Sequence, residues 1–498
     1  AMTNATVAHA DDVGLVIGGS GDPIPGPEYV AAANGLYIHS IYPDTTYPDP
    51  YANGVFTPEG LFPYGSAGIN QLLLNYPTAA DGFPSQTSSV GQGMTILEND
   101  ITSNTTAGDT STVFGYSQSS TIASYVMQQL DPNNTPEPNS GLDFLLIGDP
   151  SNPNGGLLER FAGFETTSGQ TVSDPLTIPS LGYVFDSATP SDDYTTSIYS
   201  MEYDGFTDFP RYPLNFLSDL NAVLGIAEIH GTYLNGGNGT DGLGTGPSIA
   251  DIDNATLLPG SADYGGVGAN PDSLTDYYMI TTSGGTDITP GADITPPLVA
   301  LLPTQLQELL GPDLTYLINL GYGDGSLGYS VDADSPANVD TPFGLAPDVS
   351  LSTELSTLST DTEQGIQNLM SGTDPYASAT AETATSGQSF TDLLSALEAD
   401  AANPAASLTD FANAISSAGA TLQGALTSLA DIGNALSTSL PAYELSLFSD
   451  NLATGDLTDA LGLPVAADTG LSSVALGFAL NVVENAASSI SADFSGLF

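Results

Sequence analysis

The chain has 498 residues, of which 58 are Asp or Glu and only two are Lys or Arg, for a formal charge of −56. The acidic share is ordinary and the missing cations are the anomaly, so there is no basic patch for nucleic acid or anionic lipid headgroups to bind. The absence of Cys removes disulfides, thiol nucleophiles and cysteine metal sites, and the absence of Lys removes Schiff-base chemistry and the phosphate-loop lysine.

In chain order, the amino terminus has no charged, apolar, cleavable pattern, so Ala1 is expected to follow a removed leader or an expression junction. Residues 13–17 read as a buried strand ending in Gly18-Gly19-Ser20-Gly21, a turn whose backbone N–H groups can face outward. Residues 112–114 make a second short strand. Soon after Ser117, the apolar positions Ile122, Ala123, Val126, Met127 and Leu130 mark an amphipathic helix. Residues 144–147, 196–203, 277–280 and 314–320 read as further strands, and the Gly-dense residues 236–246 as a loop. Strands interleaved with helices predict a mostly parallel sheet. Arg160 and Arg211 are each expected to hold a structural carboxylate, with almost no other salt bridges.

Composition changes near Pro347, which predicts a domain over residues 1–346 and a helical region over residues 347–498. Phe390, Leu393, Leu394 and Leu397 form one helical face. Leu408, Phe411, Ile415, Ala418, Leu422, Leu426, Leu429, Ile432 and Leu436 advance by threes and fours, the spacing of a helix packed along its whole length. That face is expected to pack on protein, as a lid or by self-association. The run over residues 471–483 is interrupted by Ser472, Ser473 and Asn481, so no transmembrane span is expected.

Gly115-Tyr116-Ser117-Gln118-Ser119 resembles a nucleophile elbow whose last Gly has become Ser. Gly18-Gly19-Ser20 and Gly328-Tyr329-Ser330 are similar in letters, but only Ser117 follows an apolar strand and opens a helix, which aims the helix N-terminus at a developing oxyanion. A serine nucleophile needs a base, and the only histidines are His9, His39 and His230. His9 lies in a polar tail and His39 lies upstream of the elbow, whereas His230 satisfies the Ser, acid, His order. The orienting acid should lie between them at the carboxyl end of a strand. Asp204 fits best, ahead of Asp208 and Asp149. Backbone N–H of Gln118 is the expected first oxyanion donor, and Ser20 or Gly19 the second. No acidic spacing suggests an all-oxygen metal site, so neither a metal nor a cofactor is expected.

Together, Gly18-Gly19-Ser20-Gly21-Asp22-Pro23, the Ser117 elbow, Gly148-Asp149-Pro150 with Asn154-Gly155-Gly156, Tyr203-Asp204-Gly205 and His230-Gly231-Thr232-Tyr233 resemble the PE-PPE domain, a mycobacterial serine α/β-hydrolase family related to cutinases. The resemblance covers about residues 10–345. It implies a cutinase-like α/β-hydrolase fold, a mostly parallel sheet flanked by helices, followed here by the α-helical C-terminal region. It also implies a Ser117, Asp204 and His230 triad with Ser20 and Gln118 as the oxyanion pair. The expected activity is that of an esterase or lipase on acyl esters, secreted or at the cell envelope. An acyltransferase or a non-catalytic envelope protein on the same fold is the alternative.

Overall fold

The computed structural model describes residues 12–38, 52–59, 88–133, 135–137, 140–162, 177–178, 183–185, 187–235, 246–265, 268, 270–282, 294–373, 375–376 and 408–495. His9, His39, residues 236–245 and the expected helix at residues 390–397 lie outside the described residues. The strands are β1 (Asp12–Ile17), β2 (Ala52–Val55), β3 (Thr110–Tyr116), β4 (Leu142–Ile147), β5 (Thr177–Ile178), β6 (Tyr183–Val184), β7 (Thr196–Met201), β8 (Thr256–Leu257) and β9 (Thr275–Ile280). Seven of them form one sheet in the order β2-β1-β3-β4-β7-β9-β8. Every pairing in it is parallel except β8 with β9. Strands β5 and β6 form a separate antiparallel pair.

The helices are α1 (Pro27–Ala33), α2 (Ser89–Ala107), α3 (Gln118–Leu130), α4 (Leu157–Arg160), α5 (Phe216–Glu228), α6 (Ile249–Asp253), α7 (Pro297–Ala300) and α8 (Thr304–Asn319). The C-terminal region adds α9 (Leu351–Ser371), α10 (Leu408–Asn434), α11 (Leu440–Thr454) and α12 (Leu457–Ser495). Central strands of the sheet are covered on both faces, so they read as continuous apolar runs whose side chains alternate between two cores. Val113, Phe144 and Leu146 join Met94, Leu97, Ile122 and Val126 of α2 and α3 on one face. Phe114, Leu145 and Ile147 join Tyr37, Tyr199, Tyr233 and Ile318 on the other. This is the mostly parallel, helix-flanked sheet that the sequence predicts.

A third core joins residues 157–343 to the C-terminal helices. Leu157, Phe161, Phe209 and Phe343 pack with Tyr443, Leu447, Leu463, Val474 and Phe478 of α11 and α12. Close approach depends on three glycines of α12 at near-heptad spacing. A Cβ would lie 2.7 Å from Leu345 at Gly462, 2.7 Å from Phe161 at Gly470 and 2.4 Å from Val223 at Gly477.

Three expectations are corrected. Residues 314–320 are not a strand but the end of α8, whose internal Pro312 interrupts the helical pattern in the sequence. Among the described residues neither arginine holds a carboxylate: fully buried Arg160 donates to the carbonyls of Phe209 and Thr341, to Asn154 and to Ser330, and Arg211 donates to Ser335. On α10 the expected face is covered only in part: Ile432 is buried and Leu429 packs against the Ala425 cluster, whereas Leu422 and Leu426 are exposed and Ala425 and Ser428 complete the covered row. Leu422 and Leu426 lie to one side of the contact, where close helix approach takes the small side chains. Residues 471–483 belong to the 39-residue α12, whose segment Leu457–Ser489 is long and apolar enough to cross a membrane by length and composition alone but is partly buried on the protein, so it makes no clear transmembrane span, as expected. The polar residues that interrupt the run do not interrupt the helix.

Candidate active site

Ser117 sits between the carboxyl end of β3 and the first turn of α3, with φ 58° and ψ −118°, a conformation that costs a non-glycine residue energy. The neighbours hold it there. Ser117 N–H donates to the Ile147 carbonyl at 3.1 Å. Gly115 lets the turn close, since a Cβ there would lie 2.9 Å from the Ser119 carbonyl oxygen. Ser119, where the elbow pattern has Gly, uses its hydroxyl: Oγ accepts from Tyr116 N–H at 2.7 Å. The departure from the motif is a clamp on the turn.

His230 follows α5 and opens a 3₁₀ turn, His230–Thr232. Its Nε2 lies 2.8 Å from Ser117 Oγ, and its Nδ1 lies 2.8 Å from Asp204 Oδ2. A carboxylate at 204 only accepts, so Nδ1 carries the proton and Nε2 is left as the acceptor facing Ser117. The Tyr116 hydroxyl donates to the His230 carbonyl, and the Phe206 ring packs 4.6 Å from the imidazole. Gly148 permits this approach, for a Cβ on it would lie 3.0 Å from His230 Cε1.

Asp204 lies in the turn after β7, next to Tyr203 at φ 65°. Gly205 and Gly225 let that turn press on α5: a Cβ on either would fall within 2.2 Å of a carbonyl oxygen, from Ala222 and Tyr203 respectively. The same helix therefore supports the acid and carries the histidine. Asp204 is fully buried, and besides His230 it accepts from Phe206 N–H at 3.0 Å and from the Tyr233 hydroxyl at 2.9 Å. Tyr233 is itself fixed, because its oxygen accepts from Met201 N–H at 2.7 Å.

The two other acids face elsewhere. Asp208 Oδ2 accepts from Tyr203 N–H at 3.1 Å, and burial holds its carboxyl well above the usual range against the opposing pull of that bond and of Arg160. Asp149 accepts from Ser151 N–H at 3.0 Å and from the Thr189 hydroxyl at 2.6 Å, with burial raising it to about 6.

Gln118 opens α3, where its N–H has no helical partner, and its side chain joins the β1 loop to α2. Ser89 Oγ donates to Gln118 Oε1 at 2.8 Å, and Gln118 Nε2 donates to Ser20 Oγ at 3.3 Å. Accepting that bond leaves the Ser20 hydroxyl hydrogen available to donate. Gly19 lies in the same loop, packed on the Tyr116 ring. The loop is braced from behind: Gly21 N–H donates to the Glu59 carbonyl at 2.9 Å, and Thr57 N–H to the Pro23 carbonyl at 3.2 Å. The fully buried Glu59 has φ 38° and accepts from the Thr57 hydroxyl at 2.5 Å, and burial pushes its carboxyl up to about 8.

Thus Ser117, His230, Asp204, Ser20 and Gln118 are brought together, whereas Asp149 and Asp208 are not. Sequence reasoning missed Ser89, Tyr233, Phe206 and Glu59. Tyr233 alone had a signal, three residues after His230. Among the described residues no group of acidic or histidine side chains is arranged to hold a metal.

Comparison with known proteins identifies the family. A model of the PE-PPE domain matches residues 48–323. The Mycobacterium tuberculosis PPE family protein PPE28 is 36% identical over 99% of this chain and 68% of its own length. The PE family protein PE3 of the same organism is 35% identical over 71% of this chain and 62% of its own length. A third, named Esterase PE16, is 31% identical over 70% of this chain and 55% of its own length. The chain therefore spans between about half and two thirds of these relatives. No solved structure matches it. With Ser117, Asp204 and His230 all inside the matched span, the chain belongs to the PE-PPE domain family.

Proposed function

We propose that this chain is a serine hydrolase that cleaves carboxylic esters of acyl chains. The observation that carries the reading is the hydrogen-bonded series from Ser117 Oγ through His230 to Asp204, each step 2.8 Å long, at a strained strand-to-helix turn. Ser117 Oγ attacks the ester carbonyl carbon as its proton passes to His230 Nε2. The oxyanion is met by Gln118 N–H and by Ser20 or Gly19 of the β1 loop. The intermediate collapses as His230 returns the proton to the departing alcohol, leaving an acyl group on Ser117. Water then attacks the acyl carbonyl as it gives a proton to His230, and the acid leaves as His230 returns that proton to Ser117 Oγ. Asp204, held by Tyr233 and Phe206, keeps the imidazole in the required tautomer throughout. The name of the relative Esterase PE16 supports the same class of chemistry. From the family resemblance we also assign its work to the cell envelope or outside the cell, with residues 1–346 as the hydrolase domain.

The test is covalent labelling with a fluorophosphonate together with turnover of a soluble short-chain ester. Ser117→Ala should abolish labelling, and Ser117→Ala and His230→Ala should each lower turnover by about 10³ to 10⁶ with melting little changed. Retained turnover in either variant removes the assignment.

A further inference from the structure

The groups around the triad belong to different cores. Ile229 and Tyr233, on either side of His230 in sequence, pack in the sheet core with Phe114 and Ile147. Phe206 belongs instead to the core that the hydrolase fold shares with α11 and α12. Yet Phe206 bears on both partners of Ser117. Its N–H donates to Asp204 Oδ1 at 3.0 Å, and its ring centre lies 4.6 Å from that of the His230 ring, tilted by 60°. Hydrogen bonds through Nδ1 and Nε2 leave an imidazole free to rock about the line between them, and a ring packed against it restricts that motion.

The tail backs Phe206 in turn. The Phe478 ring stacks on it with centres 6.2 Å apart and planes 26° apart, and both side chains are buried. One residue earlier, Gly477 brings α12 against Val223 of α5, where a Cβ would lie 2.4 Å away, and α5 is the helix that leads into His230. Ala222, beside Val223, is buried in the same shared core, and its carbonyl is the one against which Gly205 closes the acid's turn. Two consecutive residues of α12 therefore bear on the loop of the acid and on the helix of the base.

We propose that Phe478 is a positioning residue for the Ser117 site: acting through Phe206, it holds the His230 imidazole in the orientation that takes the serine proton, so that the C-terminal region completes the catalytic arrangement of the hydrolase fold. Truncating Phe478 opens a gap behind Phe206, and a displacement of about 1 Å at the imidazole costs on the order of 10²-fold in rate. The effect on turnover rests on the serine-hydrolase reading above; the effect on the imidazole does not.

The test compares folded variants of the full chain in turnover of a soluble short-chain ester and in the rate of fluorophosphonate labelling. Phe478→Ala should lower kcat by about 10- to 100-fold with KM within about twofold, and slow labelling in the same ratio. Leu463→Ala truncates another buried side chain of that core, about 22 Å away along α12, and should lower melting comparably while leaving kcat within about twofold. Phe478→Met, which refills much of the space, should keep kcat within about threefold. Phe478→Val is a second variant should Phe478→Ala fail to fold. Proton–nitrogen NMR of the histidine rings reads the imidazole without turnover: the chain has three histidines, the His230 signals are those lost in His230→Ala, and Phe478→Ala should broaden or split them. The proposal is overturned if the folded Phe478 variants keep the labelling rate and ring signals of the unaltered chain, if Leu463→Ala loses as much kcat, or if the loss falls on KM alone. An unaltered chain that neither labels nor hydrolyses removes the hydrolase reading instead, and the ring signals then decide the positioning role by themselves.

Discussion

Asp204 and Asp208 lie one helical turn apart in the same buried loop, and only what each faces separates them. Asp204 Oδ2 meets the imidazole, while Asp208 meets the Tyr203 N–H. Asp204→Asn should lower kcat by at least about 10²-fold, because the ring loses its orienting acceptor, and Asp208→Asn should cost much less; the reverse ranking in steady-state kinetics would move the acid. Glu59 makes a prediction through pH. Its carboxyl is raised by burial from 4.5 to about 8, so the folded state binds the proton more tightly than the unfolded one. The stability this gives is complete below about pH 4.5 and is lost as pH rises through about 8, where the unfolded carboxylate is ionised and the buried group resists ionisation. Glu59→Gln should therefore raise the melting temperature little near pH 4 and increasingly up to about pH 8. A constant difference at every pH would show that Glu59 titrates normally. The nucleophile and base were legible because a strand-turn-helix context and a count of three histidines leave few choices. The supporting groups were not, since Ser89, Phe206 and Glu59 reach the site from separate elements with no local pattern to mark them.

At the scale of the element, the glycines of α12 and α10 look alike in sequence and differ in what they face. A Cβ on Gly477 would meet Val223 at 2.4 Å, whereas Gly433 on α10 has nothing within 4 Å. Gly477→Val should loosen α12 from α5, destabilising by about 1 to 3 kcal/mol through overpacking, and hydrogen exchange along α12 should rise. Gly433→Ala should act in the opposite direction, stabilising by up to about 1 kcal/mol because a helix interior prefers Ala. Equal effects in chemical denaturation would mean that α12 is not docked as described. The same contrast explains what periodicity could deliver. It located α10 and α3 as helices, since apolar spacing of three and four is a property of one segment. It placed Leu429 and Ile432 on the covered side of α10 but missed Ala425 and Ser428, which were selected by how closely α12 approaches, a property of the pair. It also turned the end of α8 into a strand, since Pro312 hides the turn before it.

For the whole molecule, the core shared by the hydrolase fold and the tail predicts what truncation does. Removing residues after 346 strips Tyr443, Leu447, Leu463 and Phe478 from Phe161, Phe209 and Phe343. The shortened protein should lose soluble yield and bind a hydrophobic dye, and its activity should fall more on long-chain than on short-chain esters. A soluble truncation with an unchanged chain-length preference would make the tail an independent module. Arg160 carries a broader consequence. It is buried among carbonyls, an amide and a hydroxyl, and burial lowers it to about 9; among the described residues neither arginine pairs with a carboxylate. Such a fold has almost no attraction for dissolved ions to weaken and a large self-repulsion for them to relieve. As the Debye length shrinks from about 30 Å at 0.01 M salt to about 8 Å at 0.15 M, the melting temperature should climb. Dilution into fresh water, harmless to proteins laced with surface ion pairs, is the condition under which this molecule is weakest.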